Sequence, residues 1–236
     1  MSGAILPYAL LAALATALLV AAFTDLRRRE INNELNAAIA LVAPLWWWAM
    51  GFSWAEIGFQ IALMAGTLVL TCVLFATNQM GGGDVKLLTA LALWFTPASF
   101  FQLVVLMAVL GGGASIAMAA FNMKREPGES LRDGLAGVAA LAWVWCACAL
   151  VFALATHRPL LSDGAIDTIA TLVPSLWLLA LIAAVVLAVL AFGIRHIVRR
   201  QKSRLPVPYG IAIAAAGLWV LGEQTLLAAR AAGQTG

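Results

Sequence analysis

Long apolar runs are the feature of this sequence that most restricts its fold. Eight of them lie at about 5–23, 35–52, 57–77, 85–95, 99–121, 135–156, 174–194 and 209–228. Most of them reach the ~20 residues that a helix needs to cross the hydrocarbon core of a bilayer. Only 11% of the 236 residues are charged, whereas soluble domains carry roughly 25%. The sequence therefore predicts an all-α, polytopic integral membrane helix bundle with about eight transmembrane helices, and it excludes a soluble or disordered chain.

The basic residues set the expected orientation of this bundle. The run 85–95 is short, and Pro97 is expected to break any helix that would continue from this run into the next. We place the N-terminus outside and let the run 85–95 and the run after it each cross or re-enter the membrane. All Lys and Arg residues then fall in cytoplasmic segments, except Arg158 and Arg230. That distribution follows the positive-inside rule. No basic segment precedes the first run, which is typical of a retained span and not of a cleaved signal peptide.

The tryptophan and cysteine residues have structural interpretations. Trp46–Trp48 and Trp54 are expected to form an aromatic belt at the outer interface. The cysteines lie within apolar runs and are expected to be small core residues, with neither a disulfide bond nor a zinc site. They are Cys72, Cys146 and Cys148.

Three other polar residues are weighed as candidates for function. His157 and His196 fall outside the apolar runs and are expected to be solvated. Glu223 lies within the last run, where it is expected to reach the outer interface, although a membrane carboxylate is also a functional candidate. No Walker-type loop and no His-Glu-x-x-His motif occurs. No cofactor, no metal and no nucleic acid partner is therefore expected, and the oligomeric state is left open.

Two acidic residues lie at helix ends on the same predicted membrane face. Asp25 closes the first run, and Asp84 opens the fourth directly after Gly81–Gly83. Two carboxyl groups at one membrane depth suit an aspartic hydrolase, in which one holds a proton and the other takes a proton from the attacking water. The glycines are expected to allow positive φ angles and a close approach of another chain segment. Position alone also allows both acids to be ordinary boundary charges, with Asp84 as a helix cap.

The helix dipole suggests a division of labour between these acids. Asp84 lies at a helix N-terminus, where the anion is favoured, and Asp25 lies near a helix C-terminus, where the neutral form is favoured. On this reasoning Asp84 is expected to be the base and Asp25 the acid.

Three motifs resemble those of the type IV prepilin peptidases. The first is Thr24–Arg27 followed by Glu30–Leu35, the second is the Gly-x-Gly-Asp-x-Lys segment at Gly81–Leu87, and the third is the Pro-Tyr-Gly-x-Ala segment within Leu205–Ala212, as in short, tad-type members. The resemblance implies that Asp25 and Asp84 are catalytic. It further implies a set of residues that support the active site or the substrate, namely Gly81, Gly82, Gly83, Lys86 and Asn33.

The resemblance, which covers about 23–94 and 205–218, implies a membrane aspartic endopeptidase. Its partners would be membrane lipids and a prepilin or pseudopilin, whose basic leader it would remove at the cytoplasmic face of a bacterial-type inner (plasma) membrane. The sequence has Asn32 where the family usually has proline, so the first helix is expected to run further before turning. No cysteine-bearing insert follows the first run, and N-methyltransferase activity is therefore not expected.

The domain organisation expected from the sequence is a single membrane domain, 1–236. Within it the catalytic helices fall in 5–121, an apparent additional hairpin in 135–194, and the last helix in 205–228.

Two other functions are considered. One is a small proton-coupled transporter or export component that uses Asp25, Asp84 and Glu223 as relay carboxylates. Transporters place ionisable groups near the bilayer midplane and often show internal repeats. Neither feature is visible in the sequence, which favours the peptidase. The other is an inactive family member that acts as a membrane scaffold, and the presence of both aspartates argues against it.

Overall fold

The chain is all-helical in the computed structural model, which describes residues 5–124, 128–156, 159–173, 175–202 and 209–234. Within these residues it forms the helices α1 (Ile5–Arg28), α2 (Asn33–Met50), α3 (Trp54–Ala76), α4 (Gly82–Leu91), α5 (Pro97–Phe121), α6 (Ser130–Thr156), α7 (Asp163–Leu172), α8 (Leu176–Arg199) and α9 (Tyr209–Gln234). Six described helices are long and apolar enough to cross a membrane, namely α1, α3, α5, α6, α8 and α9. The predicted fold class is confirmed, and the outside position of the N-terminus stays a prediction.

The helix count differs from the sequence prediction at one point. Each of the eight apolar runs forms a helix, and α7 adds a short one between the sixth and seventh runs. The break before Pro97 occurs as predicted, and Pro97 is the first residue of α5, a position at which proline is well accommodated. His157, Arg158 and the start of the third motif, 205–208, lie outside the described residues.

Packing divides the described chain into two compact units. The first consists of the residues up to Ala108 together with α9, and the second begins at Val109. All of the residues that carry the predicted chemistry belong to the first unit.

One face of α1 brings Asp25 into the interior of the first unit. Its buried residues are Leu10, Leu14, Leu18, Ala21 and Asp25, spaced every third or fourth position. This spacing forms a single stripe on a helix, and the stripe packs on α9. Asp25 is therefore the last member of a buried apolar face.

The short helix α4 lies at the centre of the first unit, in contact with α2, α3 and α9. The turn that follows α4 leaves backbone carbonyl groups outside a helix, and these need partners in an apolar environment. Trp47 Nε1 donates to the Leu93 carbonyl at 2.8 Å, and Gln60 Nε2 donates to the Phe95 carbonyl at 3.0 Å. Side chains of α2 and α3 thus stabilise the break between α4 and α5.

The prediction of an aromatic belt was wrong for two of its four residues. Trp46 and Trp47 are buried, and Trp46 stacks on Trp94 with ring centroids 5.9 Å apart. Only Trp48 and Trp54 are exposed. The amphipathic indole suits either an interface or a core that offers a carbonyl acceptor, and the carbonyl of Leu93 is that acceptor for Trp47.

The second unit is organised around close packing of α6 and α8. A Cβ added to Gly193 would lie 2.5 Å from the Ala139 Cβ atom, so only glycine fits at this crossing. His196 lies in the last turn of α8 and not in a solvated loop, which corrects the sequence prediction. Its side chain is only 11% exposed, and its Nε2 atom lies 2.9 Å from Asp133 Oδ1.

The prediction that the cysteines are core residues was also wrong. Cys72, Cys146 and Cys148 are free and exposed on the helix surfaces. A small, weakly polar thiol is compatible with a lipid-facing position. A cysteine within an apolar run of the sequence is therefore not necessarily buried in the protein.

Candidate active site

The first unit brings Asp25 and Asp84 to the same cavity. The cavity has a volume of about 620 Å³ and is bordered by the α1–α2 loop and the first turn of α4. The two side chains are only 6% and 8% exposed. They lie close enough for the charge of Asp25 to act on Asp84. Two residues 59 positions apart in the sequence thus form one acidic pair.

The α1 helix ends three residues after Asp25. Arg29 adopts a left-handed conformation with φ of 58°, and its N–H donates to the Asp25 carbonyl at 2.9 Å. This is a common way of ending a helix, although glycine usually fills the position. The helix therefore turns at Arg29, before the segment that carries Asn32.

Asn32 has the backbone shape of the proline that it replaces. Its φ of −61° and ψ of 135° match those of proline in an extended segment. We expect Asn32→Pro to keep the fold and to raise the melting temperature slightly, since a proline that fits stabilises by about 0.4–1 kcal/mol. Thermal unfolding of the purified variant tests this expectation. A loss of folding would show that the α1–α2 loop adopts another shape.

The first turn of α4 positions the Asp84 carboxyl group. Gly81 is the residue before α4, and its N–H donates back to the Asp84 side chain, as in one half of a capping box. A Cβ on Gly81 would lie 3.0 Å from Asp84 Oδ2. The expected positive φ is not found, because the described glycines with positive φ are Gly51 and Gly128. The glycines instead allow close contacts, of Gly81 with the Asp84 side chain and of Gly83 with Ile31.

Ile31 is a site residue that the sequence reasoning missed. It is 7% exposed and packs between two glycines from different helices. A Cβ on Gly83 would lie 3.2 Å from Ile31 Cβ, and a Cβ on Gly210 would lie 2.9 Å from Ile31 Cδ1. Ile31 therefore sets the spacing between α4 and α9 beside the acidic pair.

Gly210, in the first turn of α9, is the second residue that was missed. A Cβ there would lie 2.7 Å from Asp25 Oδ2 and 2.9 Å from Asp25 Cγ. The backbone N–H groups of Gly210 and Ile211 interact with the Asp25 carboxyl group, and Arg29 adds a favourable charge. The buried Oδ2 atom makes no hydrogen bond with the described residues.

The surroundings of the two aspartates bear on which is the acid and which is the base. Burial, then the charge of Asp25, raises the pKa of Asp84 to about 6, although the Gly81 N–H opposes the shift. Burial of Asp25 favours its neutral form, whereas the N–H groups at the start of α9 and the charge of Arg29 favour its anion. The two carboxyl groups titrate as a unit, and which of them is the acid and which the base stays a prediction.

Lys86 and Asn33, both expected to support the site, contact each other. Lys86 Nζ donates to Asn33 Oδ1 at 2.7 Å, which joins α4 to the first residue of α2. Glu30 and Glu34 line the same cavity as the acidic pair. Within the described residues, no three His, Cys, Asp or Glu side chains converge on a metal position.

Glu223 lies away from this cavity. It accepts a hydrogen bond from Gln102 Nε2 at 2.6 Å, in a partly buried contact between α5 and α9. Glu223 therefore has a partner on α5 and does not extend the acidic pair, and its place at the outer interface stays a prediction.

A family model covers most of the first unit. Residues 12–116 match the Type IV leader peptidase family, which confirms the resemblance at the level of the family. The match includes Asp25, Asp84, Gly81–Gly83 and the cavity that they border. No curated protein and no solved structure gives a significant match to the chain.

Proposed function

We propose that this protein is a membrane aspartic endopeptidase that removes basic leaders from prepilins or pseudopilins, which the match of residues 12–116 to the Type IV leader peptidase family supports. We place the cleavage at the cytoplasmic face of a bacterial-type inner (plasma) membrane. The reaction belongs to the first unit, and the hairpin 135–194 takes no part in the chemistry.

The observation that carries this proposal is the buried acidic pair at one cavity. Asp84, protonated, donates a hydrogen bond to the scissile carbonyl oxygen and polarises it. Asp25, ionised, takes a proton from a water molecule as its oxygen attacks the carbonyl carbon. The tetrahedral intermediate collapses when the C–N bond breaks, and the leaving amine takes the proton from Asp25. Asp84 regains its own proton as the carbonyl re-forms, so the pair ends in its starting state.

The proposed substrate fits the charge and the position of the cavity. Glu30 and Glu34 add negative charge beside the aspartates, which attracts a basic leader. The leader is followed by an apolar helix, which partitions among the membrane spans. A helical peptide bond is protected by its hydrogen bonds, so the junction must unwind before attack. A glycine at the junction lowers that cost by about 1 kcal/mol relative to alanine.

The experiment that tests this function is co-expression with a prepilin that carries a basic leader. The wild-type protein is expected to shorten the prepilin, as seen by gel shift, and N-terminal sequencing of the product locates the cut. An intact prepilin beside a correctly inserted enzyme would refute the proposal.

The transporter alternative predicts a different dependence on Glu223. A proton relay through the membrane needs this carboxyl group, whereas the peptidase does not, because Glu223 contacts Gln102 away from the acidic pair. Glu223→Gln is therefore expected to leave leader cleavage within about twofold of wild type. Proton flux into vesicles that depends on Glu223, without cleavage, would favour the transporter.

The pH dependence of cleavage follows from Asp84. Its pKa of about 6 means that the protonated form is lost as the pH rises through 6. We expect kcat/KM to fall on the alkaline side with a midpoint near pH 6, since this ratio reports on the free enzyme. A profile that stays flat from pH 5 to 8, measured with a detergent-solubilised prepilin, would contradict the assigned proton.

A further inference from the structure

A second cavity adjoins the candidate active site and is not used by the chemistry proposed above. It has a volume of about 440 Å³, and Asn33 lines both cavities. We call it the α2–α4 groove. Helix α2 borders it with Asn33, Asn36, Ala37 and Ala40, which share one helix face. From Asn33 to Ala40 the groove extends about 10 Å along the helix axis, at 1.5 Å per residue.

The other walls of the α2–α4 groove are largely apolar. Met64 and Leu68 of α3 are one helical turn apart. Helix α4 contributes Thr89 and Ala90, with Lys86 at the end nearest Asn33, and Leu93 follows. Alanines on two of the three walls leave room for the side chains of an occupant. The groove therefore suits an apolar segment that runs along α2.

Asn36 differs from the other polar residues of this groove, because Lys86 and Asn33 bond each other and Thr89 bonds the Val85 carbonyl. It is only 5% exposed, and neither its Oδ1 nor its Nδ2 atom has a hydrogen-bond partner among the described residues. A buried amide without partners destabilises the folded state, and such groups call for an explanation. An asparagine side chain offers one donor group and one acceptor, which matches the free N–H and C=O of an extended peptide.

We propose that the α2–α4 groove binds the polypeptide substrate on the apolar side of the scissile bond, with Asn36 hydrogen-bonded to its main chain. This inference rests on the proposed peptidase function. About three extended residues, at roughly 3.3 Å each, fill the length from Asn33 to Ala40. The peptide bond at the aspartates then continues directly into the groove. A lipid acyl chain would fit the apolar walls but would leave the Asn36 amide unpaired.

The first test separates substrate binding from chemistry. Asn36→Leu removes an unpaired buried amide without changing the side-chain size much, so the variant is expected to fold. Its KM for the prepilin should rise roughly tenfold, with kcat within about twofold of wild type. The midpoint of its pH profile should not move, because Asn36 is not part of the acidic pair. An unchanged KM would overturn the inference.

A matched pair of alanines tests the groove walls. Ala40→Leu narrows the groove, whereas Ala38→Leu adds the same side chain at an exposed position of α2 that does not line it. We expect KM to rise for Ala40→Leu alone. Equal values for the two variants would count against the groove.

The occupant is identified by photo-crosslinking in the inactive background Asp84→Asn. A diazirine residue at position 40 should crosslink to the prepilin just after its leader, and one at position 38 should not. Crosslinks to lipid alone, or equal prepilin yields from both positions, would refute the inference. Failure of the proposed function looks different, because the wild-type enzyme would then leave the prepilin uncut whatever occupies the groove.

Discussion

Replacing either buried aspartate by asparagine, in Asp25→Asn or Asp84→Asn, is expected to reduce leader cleavage by at least about a thousandfold. Asparagine keeps the size of the side chain, but it can neither take a proton from water nor hold one for the carbonyl oxygen. Because the two carboxyl groups act on one bond from one cavity, the double variant should be no slower than the slower single variant. Initial rates with a solubilised prepilin measure this loss.

Folding of the Asp84→Asn variant distinguishes lost chemistry from lost structure. Burial raises the pKa of Asp84 from 3.8 to about 6, so the stability that its protonated form contributes is present below pH 3.8 and is lost as the pH rises through 6. At pH 8 the asparagine variant should therefore melt no lower than wild type, and the advantage should vanish below about pH 4. A variant that is less stable than wild type at pH 8 would contradict the buried position of Asp84.

A carboxylate elsewhere on the chain serves as the matched control. Asp163 lies exposed in the first turn of α7, in the second unit. Asp163→Asn makes the same chemical change and should cleave at the wild-type rate. If Asp25→Asn and Asp84→Asn cleave equally well, the acidic pair is not the catalytic centre.

The helices and the pairing of the aspartates could be anticipated because both depend on local signals. Runs of about 20 apolar residues fix the spans, and the break at Pro97 separates α4 from α5. Asp25 continues the buried stripe of Leu14, Leu18 and Ala21, which is visible as a spacing of three and four. The motifs at the two helix ends predicted that Asp25 and Asp84 lie at the same membrane face. In the structure both carboxyl groups line one cavity.

Contacts between distant helices left no such signal. The Pro-Tyr-Gly-x-Ala motif contains Gly210 but does not show that its Cα faces Asp25. Nothing near Ile31 indicates that its side chain fills the space between Gly83 and Gly210. The available hint was the position of Gly210 in the first turn of a membrane helix, where glycine is a poor helix former and therefore suggests close packing. The omission also left one contribution out of the acid and base assignment, because the dipole of α9 acts on Asp25 as well as that of α1.

Amphipathic side chains were placed wrongly because the sequence cannot show which neighbour they meet. Trp47 was assigned to an interface and instead donates to the Leu93 carbonyl in the core. His196 was assigned to a loop and instead pairs with Asp133 at the end of α8. In both cases the polar atom finds a partner that is distant in sequence, which periodicity alone does not reveal.

Gly210→Ala is expected to reduce cleavage by about a hundredfold or more, which is the usual cost of displacing a catalytic group by about 1 Å. The added Cβ would lie 2.7 Å from Asp25 Oδ2 and 2.9 Å from Ile31 Cδ1, so Asp25 and α9 must move apart. As the charge of Asp25 recedes from Asp84 and water enters, the pKa of Asp84 falls. The alkaline midpoint of kcat/KM should accordingly move below pH 6, a change that simple loss of folded protein would not produce.

Gly222→Ala in the same helix is the control for Gly210→Ala. No atom lies within 4 Å of the Cβ that it adds, while the change in helix propensity is the same, about 1 kcal/mol in favour of alanine. This variant should cleave at the wild-type rate with an unchanged midpoint. Were Gly210→Ala to behave in the same way, the N-terminus of α9 could not be what positions Asp25, and the acidic pair would have to be held by α1 and α4 alone.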